Sequence, residues 1–232
     1  MKTILTVTLN PALDQIIHDD QRSGHERSVQ DVQVFPGGKG VNVTRALQAL
    51  GIHSTTMIAV AGANGHSLVR GLRVEGLSFA AFELSSGETR VNRTSIENLS
   101  GRVTRALAPG PRWCKKDERH FREFFRKALC RTRLLVLSGR MPPGLSVNFY
   151  ADLIREAGAQ GVPVFLDTSG PALKAGLKAQ PFAAKPNQKE AEELLGYRLV
   201  SRRNIRKALL SFLDCGMKMV LLTLGEQGLA AG

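Results

Sequence analysis

The sequence predicts an α/β fold: a parallel sheet covered by helices on both sides, with a small antiparallel β-sheet beside it. Short apolar runs and amphipathic runs alternate from Arg133 onward, the order expected of strands and crossover helices. Those strands are apolar at successive positions, as in sheets buried on both faces. Between Leu77 and Ala108 the helical period disappears and turn signals separate strand-like runs.

In chain order, "ILTVTL" (Ile4–Leu9) reads as a strand broken by Asn10-Pro11, and the polar, loop-rich segment Asp14 to Val34 is strand-like. After a glycine turn come a helix at Val41–Leu50, a strand at Thr55–Val60 and a helix at Ser67–Val74. "LSFAAFEL", "TRVNRTSIEN" and "RVTRALA" follow as antiparallel strands, with turns at Ser85–Gly87 and Ser100-Gly101. Phe121, Phe124, Phe125, Ala128 and Leu129 recur at helical spacing, so this basic stretch is a helix with a buried aromatic stripe. "RLLVLSG" is a strand, Val147–Gly158 a helix, "VPVFLD" a strand and "PALKAGLKA" a helix opened by proline. "PFAAKPN" is a short strand, "QKEAEELLG" a helix closed by glycine, and "SRRNIRKALLSFLDCG" a helix capped by Ser201. "MKMVLLTLG" is again a strand.

Size and composition narrow the function classes. A chain of 232 residues, 43% hydrophobic and 22% charged, has the balance of one globular domain with a real core. No apolar run approaches the ~18 residues of a membrane span, and the start lacks the features of a signal peptide. A cytoplasmic protein that meets no membrane is the expectation. Cys114, Cys130 and Cys215 form no C-x-x-C pair, which argues against a disulfide framework or zinc site and for buried or idle thiols. The net charge of +12 raises the question of nucleic acid. Its densest stretch, Arg112 to Arg133, carries Glu118–Arg122 and Glu123–Lys127 at i,i+4 spacing. With the aromatics facing the core, the cations read as a solvated face, and no nucleic acid is expected.

The polar residues fall at strand ends. Leu9 is followed by "NPALD", Leu137 by "SGRMPPG", Leu166 by "DTSG", Ala184 by "KPNQKE" and Leu222 by "TLGEQG". In open α/β sheets ligands bind outside the carboxyl ends of strands. Five such tails, with Asp14, Asp167, Lys185 and Asn187 among them, point to a site there. The glycine stretch "VFPGGKGVNV" fits neither G-x-x-x-x-G-K-[ST], because Gly40 follows Lys39, nor G-x-G-x-x-G. Two readings remain: a turn that exposes backbone N–H groups to a ligand at a helix N-terminus, or a tight turn that packs helix on sheet.

"TLNPALD", "PGGKGVNV", "GETRVN", "LSGRMPPG", "LDTSG", "KPNQKE" and "TLGEQG" stand in the order and spacing of the ribokinase-like PfkB carbohydrate kinases. The resemblance covers essentially the whole chain and is closest to the phosphofructokinase branch, which holds 1-phosphofructokinase and tagatose-6-phosphate kinase. It implies a three-layer α/β/α ribokinase-like domain over residues 1–232, with lid strands drawn from about 14–35 and 77–108. It also implies ATP-dependent, magnesium-dependent phosphorylation of a ketohexose phosphate and a homodimer formed through the lid. The alternative is a non-catalytic sugar-phosphate binder. On this resemblance Asp14 accepts hydrogen bonds from sugar hydroxyls, and Gly38, Lys39, Gly40 and Asn42 form the floor of the sugar site. Arg90 grips the phosphate already on the sugar, with Asn92 beside it and Arg27 as a second cation; Ser138 lies near the acceptor. Lys185 and Asn187 contact the nucleotide, Glu190 orders magnesium through water, and Thr223, Gly225 and Gly228 lie along ATP.

Four departures stand against the pattern. Arg140 occupies a place where relatives of this branch have a small serine, His25 one where some have lysine, and Ala61 in "VAGANG" replaces a glycine. The family's second signature, G-A-G-D, which carries the general base and the anion-holding loop, would come well after "TLGEQG", and the chain ends at Gly232. A C-terminally truncated domain is therefore expected, with no catalytic base of its own and with Val220 to Leu224 stripped of covering helices.

Overall fold

The computed structural model describes residues 2–19, 29–98 and 100–232. The chain opens on β1 (Thr3–Thr8), turns at Asn10-Pro11 and continues as β2 (Ala12–Asp19) and β3 (Val29–Gly37). Helix α1 (Lys39–Ala49), β4 (Ser54–Val60), α2 (Gly62–Val74) and β5 (Phe79–Glu83) follow. After β6 (Arg90–Glu97) and β7 (Val103–Ala106), α3 (Lys115–Leu129) leads to β8 (Thr132–Ser138). Strand and helix then alternate through α4 (Phe149–Gly158), β9 (Val164–Asp167), α5 (Gly170–Lys178) and β10 (Ala183–Ala184). Two helices, α6 (Gln188–Leu195) and α7 (Arg202–Asp214), precede β11 (Met219–Thr223) and β12 (Leu229–Ala231).

The main sheet runs β12-β11-β10-β9-β8-β1-β4-β5 and is parallel throughout except for β12, which pairs antiparallel with β11. All parallel strands thus end at one edge. The chain winds outward from β1 in both directions, to β4 and β5 on one side and to β8 and beyond on the other, which puts the switch point between β1 and β8.

Strand alternation divides the core. Leu5, Val7, Met57, Ala59, Leu135 and Leu137 pack with Phe121, Phe125, Leu153, Leu173 and Phe212 from the helices that follow β7. The intervening residues Ile58 and Val60 face Val41 of α1 and Leu68 and Leu72 of α2. The predicted aromatic stripe is real: Phe121, Phe125 and Leu129 are fully buried, and Trp113 packs edge-on against Phe121 at 5.2 Å. Each such side chain contributes about 1.5–3 kcal/mol by leaving water. The cations of α3 lie outside. Arg122 ties Glu118 to Asp152 and Glu156 of α4, and its guanidinium covers the Phe149 ring at 4.6 Å.

A second sheet, β3-β2-β6-β7, stands beside the first. It is antiparallel at β2–β3 and β6–β7 and parallel at β2–β6. Four expectations need correction. "LSFAAFEL" does not join the small sheet: β5 pairs parallel with β4 at the edge of the main one. Alternation alone could not separate a half-exposed parallel edge from an antiparallel strand. Helix α2 begins at Gly62, not Ser67, because the Glu88 carboxylate accepts the N–H groups of Ala63 (3.1 Å) and Asn64 (3.0 Å) and caps it from a distant loop. One face of the strand expected to be bare is covered: Val220, Leu222 and Leu224 are buried against α6, α7 and the returning β12. On the other face Leu221, with Leu134, Val136 and Phe165, lines an apolar cavity of about 210 Å³ beside α1. The three cysteines are free and exposed rather than buried. Arg27 and His25 lie outside the described residues.

Candidate active site at the carboxyl edge of the sheet

Because the parallel strands share a direction, the polar tails seen in the sequence converge on one edge. The register Ser138↔Asp167 and Val7↔Leu137 sets the ends of β9, β8 and β1 side by side. Helix α1 then folds its N-terminus onto β1. A Cβ on Gly40 would collide with Thr8 Oγ1 and lie 3.2 Å from the Val7 carbonyl oxygen, and one on Gly38 would meet Thr8 Cγ2 at 2.9 Å. Gly38 caps the helix at φ +138°, a conformation that costs a side-chain-bearing residue dearly. These two glycines therefore secure the close approach of helix and strand, the bland reading of that turn, and that approach is what brings Lys39 to the edge.

Lys39 Nζ donates to Asp167 Oδ1 at 3.0 Å, and Lys185 Nζ lies 3.4 Å from the same oxygen. Three elements, α1, β9 and β10, thus meet in one carboxylate held between two cations. Asp167 had stood in the sequence only as one strand-end residue among several. The structure makes it central, since β9 lies between β8 and β10. Thr223, at the end of β11, bridges to Asn187. Asn187 and Glu190 cap α6 reciprocally: Asn187 Oδ1 accepts from Glu190 N and Glu190 Oε2 from Asn187 N, both at 2.9 Å. Gly225 (φ +62°) and Gly228 (φ +87°) bracket the tight turn between β11 and β12.

The second group belongs to the small sheet and the β1–β2 turn. The pairing Asp14↔Asn92 places two polar side chains across parallel strands, and Asn92 Nδ2 donates to Asp14 Oδ1 at 2.8 Å. Asn42 stands at the start of α1, where its Oδ1 accepts from Arg45 Nη1 at 2.6 Å; Arg45 also pairs with Glu75. "GETRVN" anchors this arrangement. Glu88 caps α2, Thr89 Oγ1 accepts the Ala61 N–H at 2.8 Å, and the next residue, Arg90, is thereby fixed.

The Arg90 guanidinium donates to three carbonyls, from Asn10 (3.0 Å), Ala108 (3.1 Å) and Pro11 (3.4 Å). It stitches the β1–β2 turn to the segment after β7. An arginine carries five N–H donors, so donors remain for a ligand. Burial lowers its pKa, Asp14 raises it and Arg140 lowers it further, the net result being below the ordinary value; it remains cationic at neutral pH. The pairings Ala12↔Arg90 and Asp14↔Asn92 set Arg90 and Asp14 on adjacent strands of the small sheet.

Several polar atoms at this edge lack partners. Among the described residues, Thr8 Oγ1, Asn10 Oδ1, Asn92 Oδ1 and Ser138 Oγ are buried without a hydrogen bond. Each such atom costs about 1–3 kcal/mol if it stays unpaired; Thr8, Asn10 and Ser138 belong to the ends of β1 and β8 at the switch point, and Asn92 to β6 of the small sheet. A hydroxyl-rich ligand or water suits them. The lysines and arginines suit phosphate. Arg140 and Asn10 were legible in the sequence as a departure and as part of "TLNPALD", but only the sheet order reveals that the strands they follow, β8 and β1, are neighbours.

A sequence model described as pfkB family carbohydrate kinase matches residues 7–231. Among solved structures, phosphofructokinase-2 from Escherichia coli in complex with fructose-6-phosphate is 32% identical, with 100% of this chain and 77% of that chain covered and a TM-score of 0.92. The tetrameric inhibited form of the same enzyme gives 32%, 100%, 77% and 0.91. A structure described as a possible 1-phosphofructokinase from Thermotoga maritima is 28% identical over 98% of this chain and 76% of that one, with a TM-score of 0.84. The fold is ribokinase-like, the likeness lies in the phosphofructokinase branch, and the chain belongs to the pfkB family of carbohydrate kinases.

Proposed function

We propose that the chain transfers the terminal phosphoryl group of ATP to a hydroxyl of a ketohexose phosphate, giving the bisphosphate. Fructose 1-phosphate is the first acceptor in this reading, with fructose 6-phosphate and tagatose 6-phosphate as close relatives. One observation carries it: the carboxyl edge of the main sheet holds a paired-lysine cluster suited to polyphosphate, Lys39–Asp167–Lys185, and the small sheet that leaves it at the β1–β2 turn holds an amide–carboxylate pair suited to sugar hydroxyls, Asp14–Asn92. Phosphoryl transfer asks mainly for positioning and for stabilisation of charge, and the two groups offer both. That the Escherichia coli relative is described with fructose-6-phosphate supports the acceptor class.

Within this reading Lys185, Asn187, Thr223, Gly225 and Gly228 take the nucleotide, while Asp14, Asn42, Asn92, Arg90 and Ser138 take the acceptor. Mg²⁺ commonly binds through one or two carboxylates, waters and substrate phosphates. Asp167 and Glu190 supply carboxylates on the nucleotide half. Bound there, the ion would neutralise charge on the phosphates. An association of two chains through the small sheet belongs to the same proposal, its surface including the exposed Val32 and Val34 of β3 and Val103 of β7.

The test is ADP release with fructose 1-phosphate against fructose 6-phosphate, beside calorimetric titration of each sugar phosphate. Turnover with either supports transfer. Binding without turnover supports the second reading, a sugar-phosphate binder. That reading draws on the engagement of both carboxylates, Asp14 by Asn92 and Asp167 by two lysines. Neither binding nor turnover refutes the substrate class.

A further inference from the structure

Alternation along the strands gives the main sheet two faces with different cover. Leu135, Leu137, Leu166 and Leu222 pack against the helices α3–α7. Leu134, Val136, Phe165 and Leu221, on the opposite face, belong to neither core cluster. With Val43 and Leu47 of α1 they line the cavity of about 210 Å³. All six are half-buried, so the cavity is an apolar cleft that solvent can reach.

One end of that cleft is polar. Moving towards the carboxyl edge on the same face, Ser138 follows Val136 and Asp167 follows Phe165, and Lys185, just beyond β10, joins them in the lining. The Ser138 hydroxyl is wholly buried and makes no hydrogen bond. Lys185 Nζ lies 3.4 Å from Asp167 Oδ1, and the same oxygen accepts from Lys39 Nζ at 3.0 Å. One carboxylate between two ammonium groups leaves a positive charge uncompensated. Each ammonium has three N–H donors, so Lys185 has donors to spare.

Shape and charge together select a ligand. Leu134 to Ser138 advances about 13 Å along β8, so the cleft is long in the direction that runs from apolar to polar. A dry cavity of about 150 Å³ takes benzene; on that scale 210 Å³ takes about eight carbons. A sugar phosphate has no apolar tail to bury there. A fatty acid has one, and its single negative charge matches the excess at Lys185, while its second oxygen can accept from Ser138 Oγ.

We infer that this cleft is a binding site for an unbranched aliphatic monocarboxylate of about eight carbons, with its tail between α1 and the strands β8, β9 and β11 and its carboxylate on Lys185 and Ser138. The site itself stands apart from the proposed function. Because that function gives Lys185 to the nucleotide, an occupied cleft opposes ATP, and this one consequence rests on it.

The experiment is calorimetry on the full chain with butyrate, hexanoate, octanoate, decanoate and dodecanoate, and with 1-octanol as the uncharged counterpart. Affinity should rise about two- to fourfold per methylene and level off near octanoate. Octanoate should bind about ten- to hundredfold more tightly than 1-octanol, the range for a charge-assisted hydrogen bond. Lys185→Met should erase that difference by weakening octanoate alone, and Leu221→Trp, which fills the cleft, should abolish binding of both. A rise that continues undiminished to dodecanoate marks an unspecific apolar surface and overturns the inference. Equal binding of octanoate and 1-octanol by the parent chain overturns it too, and neither of these readouts needs a variant to fold. Parent-like octanoate binding by a Leu221→Trp chain that keeps its circular dichroism places the ligand elsewhere and has the same effect. Octanoate affinity that falls as the protein is concentrated means that a second copy of the chain covers the face, which also overturns it. ATP and octanoate should exclude one another; simultaneous binding at unchanged affinities overturns the sharing of Lys185. A chain that binds octanoate but no ATP removes the proposed function and leaves the site standing.

Discussion

Gly37→Ala tests whether the acceptor half of the site is built as described. Gly37 ends β3 opposite Ala12, and its φ lies outside the left-handed region, so alanine meets no backbone penalty there. The obstacle is Asp14. A Cβ at position 37 would fall on Asp14 Oδ2 and lie 2.5 Å from its Cγ. The carboxylate must swing away, and the 2.8 Å bond from Asn92 Nδ2 breaks. Asn92 Oδ1 already lacks a partner, so the whole amide is then left unpaired, at a cost of about 1–3 kcal/mol. Against that, replacing glycine restricts the unfolded chain and returns about 0.4–1 kcal/mol. The balance is a destabilisation of about 1–2 kcal/mol, readable from urea midpoints at constant slope. Calorimetry should show fructose 6-phosphate or fructose 1-phosphate binding weakened about ten- to hundredfold, as expected for a lost charged acceptor. The decisive step is a double-mutant cycle with Asp14→Ala. If Gly37→Ala acts through the Asp14 carboxylate, its cost vanishes or changes sign once that carboxylate is gone. The same cost in both backgrounds would refute the account.

Three further expectations concern stability. Asp117 is buried and accepts from Ser85 N (3.0 Å), Ser85 Oγ (3.2 Å), Cys114 N (3.3 Å) and Cys114 Sγ (3.1 Å). Burial raises its pKa, but the bonds from Cys114 and Ser85 lower it by more. Its contribution is therefore present above the ordinary carboxylate range and lost as pH falls through the depressed value; Asp117→Asn should flatten the acid limb of stability measured by urea unfolding between pH 7 and 3. Burial, with the Asp167 charge adding to it, pushes the Tyr150 phenol well above its usual value. Stability should thus drop as pH rises past about 10, where the unfolded phenol ionises, and Tyr150→Phe should abolish that drop. At neutral pH the same variant should cost no more than about 1.5 kcal/mol, because Thr168 still donates to the Gly139 carbonyl. Phe121→Ala empties the centre of the cluster formed with Trp113, Phe82 and Phe149 and should cost about 3–5 kcal/mol in chemical denaturation.

The sequence by itself determined the alternation of strands and helices, the aromatic stripe of α3, the cap at Ser201, and the polar residues at strand ends. All of these follow from local periodicity and from side chains within four residues of each other, which a linear string displays. The tertiary structure alone decided which strands are neighbours: that β5 closes the main sheet rather than extending the small one, that β12 returns along β11, and that β9 sets Asp167 between Lys39 and Lys185. It also decided that Glu88 caps a helix 25 residues before it in the chain, that Gly40 faces Thr8, and that Arg90 is bonded to the turn at Asn10 and Pro11. Pairings of that kind depend on register and on crossover direction, which are fixed by the packing of whole faces and leave no mark at any single position.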